Sequence, residues 1–217
     1  MADRTTVIID YGMGNLFSIQ RAVSQAGDEA VITDDRREIE RAARLILPGV
    51  GAFGDAMAEL RRRELVRSVA EFAAGGRPIL GICLGMQLLF SESFEFGHNE
   101  GLNLVPGRVV RFKSEADDRA FKVPQIGWNR IAPPAGRGAA DWQGTILGGI
   151  GPEDYFYFVH SFICVPESKE DVLAETSYGY DRFCSVVRRK NVWGCQFHPE
   201  KSGEQGLSIY RAFLAEH

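Results

Sequence analysis

Short apolar runs alternate with helix-period stretches through the first ninety residues. Val7-Ile8-Ile9, residues 30–32, Leu45-Ile46-Leu47 and residues 78–82 are apolar nearly throughout, as expected of strands covered on both faces. Between them Leu16, Ile19, Gln20 and Val23 recur at helical spacing, residues 36–43 form a short charged helix, and residues 56–72 a longer one broken near Glu64. Gly75-Gly76 supplies its stop. This alternation predicts an α/β fold, a mostly parallel sheet with helices on both faces.

From Ser91 onward the pattern turns β-rich. Strands are predicted at residues 108–112, 155–165 and 172–175, with a hairpin-like pair at 183–188 and 192–197 around Arg189-Lys190-Asn191. Residues 208–215 close with a helix. Residues 132–138, rich in Pro, Gly and Ala, fit a surface loop better than a linker. No repeat or low-complexity tract interrupts the chain, so residues 1–217 are expected to form a single domain.

Composition narrows the partners. With 25 Lys and Arg against 29 Asp and Glu, a net charge of -4 gives no reason to expect nucleic acid or an anionic membrane. The longest apolar run, residues 79–90, is interrupted by Gly81, Gly85 and Gln87 and is too short to span a bilayer. Asp3 and Arg4 precede the first strand without a signal-peptide cleavage region, which points to the cytoplasm. Cys83, Cys164, Cys184 and Cys195 form no CxxC pair; the last three sit in strand-like segments, where a buried reduced thiol is expected.

Cys83 stands apart, in the stretch Gly81-Ile82-Cys83-Leu84-Gly85-Met86-Gln87. Glycines two residues either side of a nucleophile suit a tight strand-to-helix turn, where Cβ atoms have no room or φ must be positive. The turn falls at the carboxyl end of the fourth strand, where ligands bind in open α/β sheets. A thiol there needs a base. His98 sits in a Gly/Asn-rich loop, His217 is the last residue, and His160 shares a strand face with Phe156, Phe158 and Phe162, as a core histidine would. His198 follows the predicted strand 192–197, Pro199 holds it extended, and Glu200 can turn its carboxylate back on the imidazole.

Two rival chemistries have weaker support. Gly49-Val50-Gly51-Ala52-Phe53-Gly54 fits GxGxxG, but it follows the third strand and its candidate ribose acid, Glu71, lies inside a helix. His198-Pro199-Glu200 also fits the His-x-Glu of zinc deaminases, yet no Pro-Cys-x-x-Cys follows. The glycine loop suits an oxyanion better, since backbone N–H groups beside a nucleophile can stabilise one. An esterase of the dienelactone-hydrolase type, and a non-catalytic binding module, are the competing classes.

Six blocks resemble the class I, triad-type glutamine amidotransferases. They are Asp10-Tyr11-Gly12-Met13-Gly14-Asn15-Leu16, residues 48–53, residues 81–87, Gly127-Trp128-Asn129, residues 157–162 and residues 196–202, which span essentially the whole chain. The Cys and His-Pro-Glu motifs resemble the superfamily at large; Tyr11-Gly12-Met13-Gly14-Asn15-Leu16, Gly49-Val50-Gly51-Ala52-Phe53, Gly127-Trp128-Asn129 and Pro199-Glu200-Lys201-Ser202 resemble the branch that serves histidine biosynthesis. Met86 stands where related amidotransferases carry His, Val50-Gly51 where they carry a Gly-Gly-Pro loop, and Gln125-Ile126 where this branch often has His-Met.

The resemblance implies a Rossmann-like fold and a triad of Cys83 as nucleophile, His198 as base and then acid, and Glu200 as its orienter. Glutamine would lie over Leu84 and the Gly49-Val50-Gly51 loop, its head group near Gln87, Ser161 and Phe162. No cofactor or metal is implied. The implied partner is a TIM-barrel cyclase subunit that consumes the ammonia, with Asn15, Trp128 and Lys201 at or near the contact; core packing is an equal alternative for Trp128. Glycine in the loop suggests that its oxyanion donor turns in when the partner binds substrate.

Overall fold

The computed structural model describes residues 5–113 and 122–216; Asp3, Arg4 and His217 lie outside the described residues. The first half alternates as expected: β1 (Thr6–Ile9), α1 (Leu16–Gln25), β2 (Ala30–Thr33), α2 (Arg36–Arg41), β3 (Arg44–Leu47), α3 (Phe53–Arg62), α4 (Leu65–Ala74), β4 (Ile79–Ile82) and α5 (Leu84–Leu88). Then follow β5 (Phe90–Ser93), β6 (Asn99–Glu100), β7 (Val105–Arg111), β8 (Gln125–Arg130), β9 (Tyr155–His160), β10 (Phe162–Pro166), β11 (Val172–Tyr178), β12 (Asp181–Arg189), β13 (Val192–Cys195) and α6 (Gly203–Leu214). Local chemistry sets several boundaries. Asp35 caps α2 by accepting from Arg37 N–H at 2.8 Å, and Glu64, with φ 58°, separates α3 from α4.

The large sheet runs β2-β1-β3-β4-β13-β12-β10-β7-β5-β6, with β11 beside β12. Its half from β2 to β13 is parallel and has the flavodoxin-like order, except that the fifth place is filled by a strand from the C-terminal hairpin. Alternate residues feed two cores. Val7, Ile9, Leu45 and Leu47 pack with Met57, Leu60, Val69 and Phe72 of α3 and α4. Ile8, Ile46, Leu80 and Ile82 pack on the other face with Ile19 and Val23 of α1 and Ile209 and Phe213 of α6. Each such buried side chain contributes about 1.5–3 kcal/mol of transfer free energy, so both faces hold the parallel strand ends in fixed register.

The strand predicted at 155–165 is two strands. β9 pairs antiparallel with β8 in a separate ribbon, whereas β10 joins the large sheet between β12 and β7. Burial explains the break at Ser161: β9 is covered on one face only, through Phe156, Phe158 and His160, while Ile163 and Cys164 of β10 are both buried.

Candidate active site

Cys83 directly follows β4 and begins the turn into α5 with φ 54°, a conformation that costs a non-glycine residue about 1–3 kcal/mol. Its N–H donates to Cys195 O at 2.8 Å, which ties the turn to β13. The strain falls on the cysteine; the flanking glycines are required for space. A Cβ on Gly81 would lie 2.7 Å from Gly85 O, and one on Gly85 only 1.9 Å from Leu47 O. α5 can therefore start directly against the end of β3.

β13 ends at Cys195, two residues before the predicted limit, and Gln196-Phe197 carry the chain on to His198. The His198 N–H donates to Tyr157 O at 2.9 Å. Ser202 Oγ accepts from Tyr157 N–H at 3.1 Å and donates to His198 O at 2.6 Å, so β9 clamps the segment from both sides. A single 3-10 turn, Pro199–Lys201, brings Glu200 Oε1 to 2.7 Å from His198 Nδ1. Burial, the largest single influence, pulls the imidazole pKa down; the Cys83 sulfur and the Glu200 carboxylate overcome it and raise it from 6.5 to about 10. No direct bond occupies His198 Nε2, and Cys83 is the strongest influence favouring its protonation. Both strand-end residues open onto one cavity.

Cys83, Leu84, Gln87, Val50, Gly51, Ser161, Phe162 and His198 share one cavity of about 310 Å³. Gly49 lies beneath it, where a Cβ would come 2.8 Å from Gly85 N and 2.7 Å from Tyr11 Oη. Tyr11 Oη donates to Pro48 O at 2.7 Å and anchors the start of the loop. Gln87 Nε2 donates to Phe162 O and to Gln196 Oε1, both at 3.1 Å, which leaves its carbonyl oxygen to accept from a ligand.

Glu95, Pro124, Val159 and His160 also line the cavity and were not foreseen as ligand contacts. Glu95 Oε2 accepts from Phe53 N–H at 2.6 Å, so a carboxylate already occupies the N-terminus of α3 where a dinucleotide reading needs a pyrophosphate. His160 is buried against Phe112, Phe158 and Phe183, as a core histidine is. Its Nδ1 lies 2.8 Å from Phe162 O, and burial lowers its pKa to about 4. Cys164, Cys184 and Cys195 are buried with raised pKa values, so these thiols are inert. His98 is exposed and pairs with Glu92.

Trp128 is exposed rather than part of the core. It stands edge-on to Tyr157, ring centroids 6.0 Å apart, and Lys201 Nζ lies 5.7 Å from the same Tyr157 ring. Asn15 is exposed at the start of α1, where its backbone carbonyl accepts from Ile19 N–H. A larger hollow of about 590 Å³ between α2 and α4 is lined in part by paired charges, Arg36 with Glu64 and Arg67 with Glu71, and by no cysteine or histidine.

The family described as glutamine amidotransferase class-I matches residues 7–216. The chain belongs to that family. Among the relatives of this amidotransferase are proteins named imidazole glycerol phosphate synthase subunit HisH. The one from Syntrophotalea carbinolica is 48% identical over 211 residues, covering 95% of this chain and 98% of its own. The one from Sulfurimonas denitrificans is 46% identical over 206 residues, covering 95% of each. The HisH group is thus the branch to which this amidotransferase belongs. Its fold also matches a solved glutamine amidotransferase, at 20% identity and TM-score 0.71 over 96% of each chain. A structure of PurLQS from Thermotoga maritima matches at 21% identity and TM-score 0.72 over 97% of each.

Proposed function

We propose that Cys83, His198 and Glu200 hydrolyse glutamine to glutamate and ammonia in the amidotransferase subunit of imidazole glycerol phosphate synthase, an enzyme of histidine biosynthesis. The observation that carries this reading is the convergence of a strained thiol and a carboxylate-held imidazole on one cavity.

An imidazole with its pKa raised to about 10 holds a proton firmly, so His198 suits the task of taking the Cys83 proton as the sulfur attacks. The sulfur adds to the side-chain amide carbon of glutamine. The carbonyl electron pair moves onto oxygen, which the Leu84 N–H and the Val50-Gly51 peptide receive; one such donor is worth about 2.7–4 kcal/mol. His198 gives its proton to the amide nitrogen, the C–N bond breaks, and neutral ammonia leaves a thioester on Cys83. Neutral His198 then takes a proton from water as the water adds to the thioester carbon, the C–S bond breaks, and glutamate departs as the sulfur is freed. Gln87 Oε1 and the Glu95 carboxylate suit the substrate ammonium, while Ser161 and Phe162 border its carboxylate.

The ammonia passes to a TIM-barrel cyclase subunit, which forms imidazole glycerol phosphate and an aminoimidazole carboxamide ribonucleotide. The chain acts as one domain, in the cytoplasm, as half of a heterodimer. Asn15, Trp128 and Lys201 lie at or near the contact; the exposure of Trp128 and the Lys201-Tyr157-Trp128 row support this for the latter two. Glycine at position 51, with φ 103°, lets the loop turn its amide in response to the partner.

Cys83→Ala tests the assignment. The variant in complex with the cyclase should lose glutamine-driven synthesis and keep synthesis from added ammonium salt. Retained glutamine hydrolysis would defeat it.

A further inference from the structure

Gln196 is fully buried beneath the site and bridges two of its residues. Its Oε1 accepts from Gln87 Nε2 at 3.1 Å, and its Nε2 donates to Cys83 Sγ at 3.9 Å. One backbone atom orients the whole chain of bonds. Phe162 O can only accept, so the end of Gln87 facing it at 3.1 Å is the amino end. That nitrogen also meets Gln196, whose facing atom is therefore the carbonyl oxygen. The end of Gln196 left for the sulfur is N–H. Flipping either amide would set like groups face to face where no water reaches, at a cost of about 1–3 kcal/mol per unsatisfied group. The backbone is held as well, through Gln196 N–H to Ser185 O at 2.9 Å.

We propose that Gln196 is a positioning residue, a fixed N–H donor to the Cys83 sulfur that also holds Gln87 in its substrate-facing orientation. The inference rests on Cys83 being the nucleophile. At 3.9 Å the contact to a neutral thiol is weak. It strengthens when sulfur carries charge, because hydrogen bonds to ionised acceptors are shorter and about twice as strong. The donor therefore favours the attacking form over the neutral thiol. It also keeps the sulfur directed at the cavity, while the second amide end transmits the same register to Gln87.

Two variants of the full chain separate the two roles. Gln196→Met keeps the length of the side chain and removes both amide groups. Gln196→Glu keeps an acceptor for Gln87 and replaces the donor with a carboxylate oxygen, so it answers the question even should the Met variant fail to fold. The readout is the rate at which iodoacetamide alkylates Cys83 from pH 5 to 10 without glutamine, with the site identified by mass spectrometry and the fold checked by thermal melting. Alkylation at pH 7 should fall about tenfold in Gln196→Met, its profile moving about one pH unit to alkaline, and at least as far in Gln196→Glu. With the cyclase present, the KM for glutamine should rise in Gln196→Met and hold in Gln196→Glu, while kcat falls in both. Folded variants that alkylate at the rate and pH profile of the unaltered chain would overturn the proposal. A wrong glutaminase assignment would appear separately, as an unaltered chain that leaves glutamine intact in the presence of the cyclase.

Discussion

His198 Nδ1 and Glu200 Oε1 are 2.7 Å apart, in side chains only 3% and 1% exposed. Water cannot substitute for either partner there, so the carboxylate alone decides which ring nitrogen carries the proton. Glu200→Gln keeps the shape but can offer an N–H to Nδ1, which selects the wrong tautomer. We expect kcat for glutamine to fall about 10³ to 10⁴-fold, the loss typical of a miswired triad, with KM little changed because Glu200 does not line the cavity. Steady-state kinetics of the complex checks this; a loss under tenfold would contradict the orienting role.

Gly85→Ala should prevent folding or cost more than about 4 kcal/mol. The new methyl would sit 1.9 Å from Leu47 O, and the backbone of β3 cannot yield without shifting the strand. Urea denaturation of purified protein, or recovery of the soluble fraction on expression, measures the effect. Gly76→Ala is the contrast, since nothing lies within 4 Å of that position and only its φ of 78° opposes the change.

The placement of Cys83 and His198 at strand ends was legible in the sequence because a parallel sheet delivers strand ends to one edge. Cys83 and His198 each follow an apolar run, and β4 and β13 then lie side by side. That pairing itself was not legible, since it joins residues 79–82 to 192–195 and no local pattern encodes a contact at such range. β8 escaped prediction for a different reason. Its apolar residues Ile126 and Trp128 face outward and Gln125 faces in, the reverse of a core-facing strand. Glu95 and Gln196 carry no local signal: an acid beside a glycine turn and a glutamine after a strand acquire roles only once distant loops converge.

Glu95→Gln should raise the KM for glutamine about tenfold, one charge-assisted hydrogen bond, and leave kcat within a few-fold. Burial raises the Glu95 pKa, nearby Asp55 adds to this, and the Phe53 N–H opposes it. Protonation at low pH therefore removes the same charge as the substitution. The KM of the unaltered complex should rise as pH falls towards that raised pKa, and the gap to Glu95→Gln should close. A constant KM ratio from neutral to acid pH would count against Glu95 as the ammonium contact.

His160 makes the fold acid-sensitive in a window that can be isolated. Its pKa falls from 6.5 to about 4, chiefly through burial, with the Phe162 carbonyl opposing and the His198 charge reinforcing the shift. Unfolding thus takes up a proton between those pH values. The stability contributed by neutral His160 is complete above pH 6.5 and is lost progressively as pH falls to about 4. His198 has the opposite sign: raised to about 10, it stabilises fully below pH 6.5 and loses that contribution only on the alkaline side. Partly buried carboxylates such as Glu95 also titrate on the acid side, so the part of the acid-side change that disappears with the imidazole is what reports on His160. His160→Phe puts a non-titrating ring among Phe112, Phe158 and Phe183, at the expense of the bond to Phe162 O. Relative to the unaltered chain, this variant should gain about 2 kcal/mol between pH 7 and pH 4.5, measured by urea denaturation at both values. A stability difference independent of pH would show that His160 titrates normally in the folded protein.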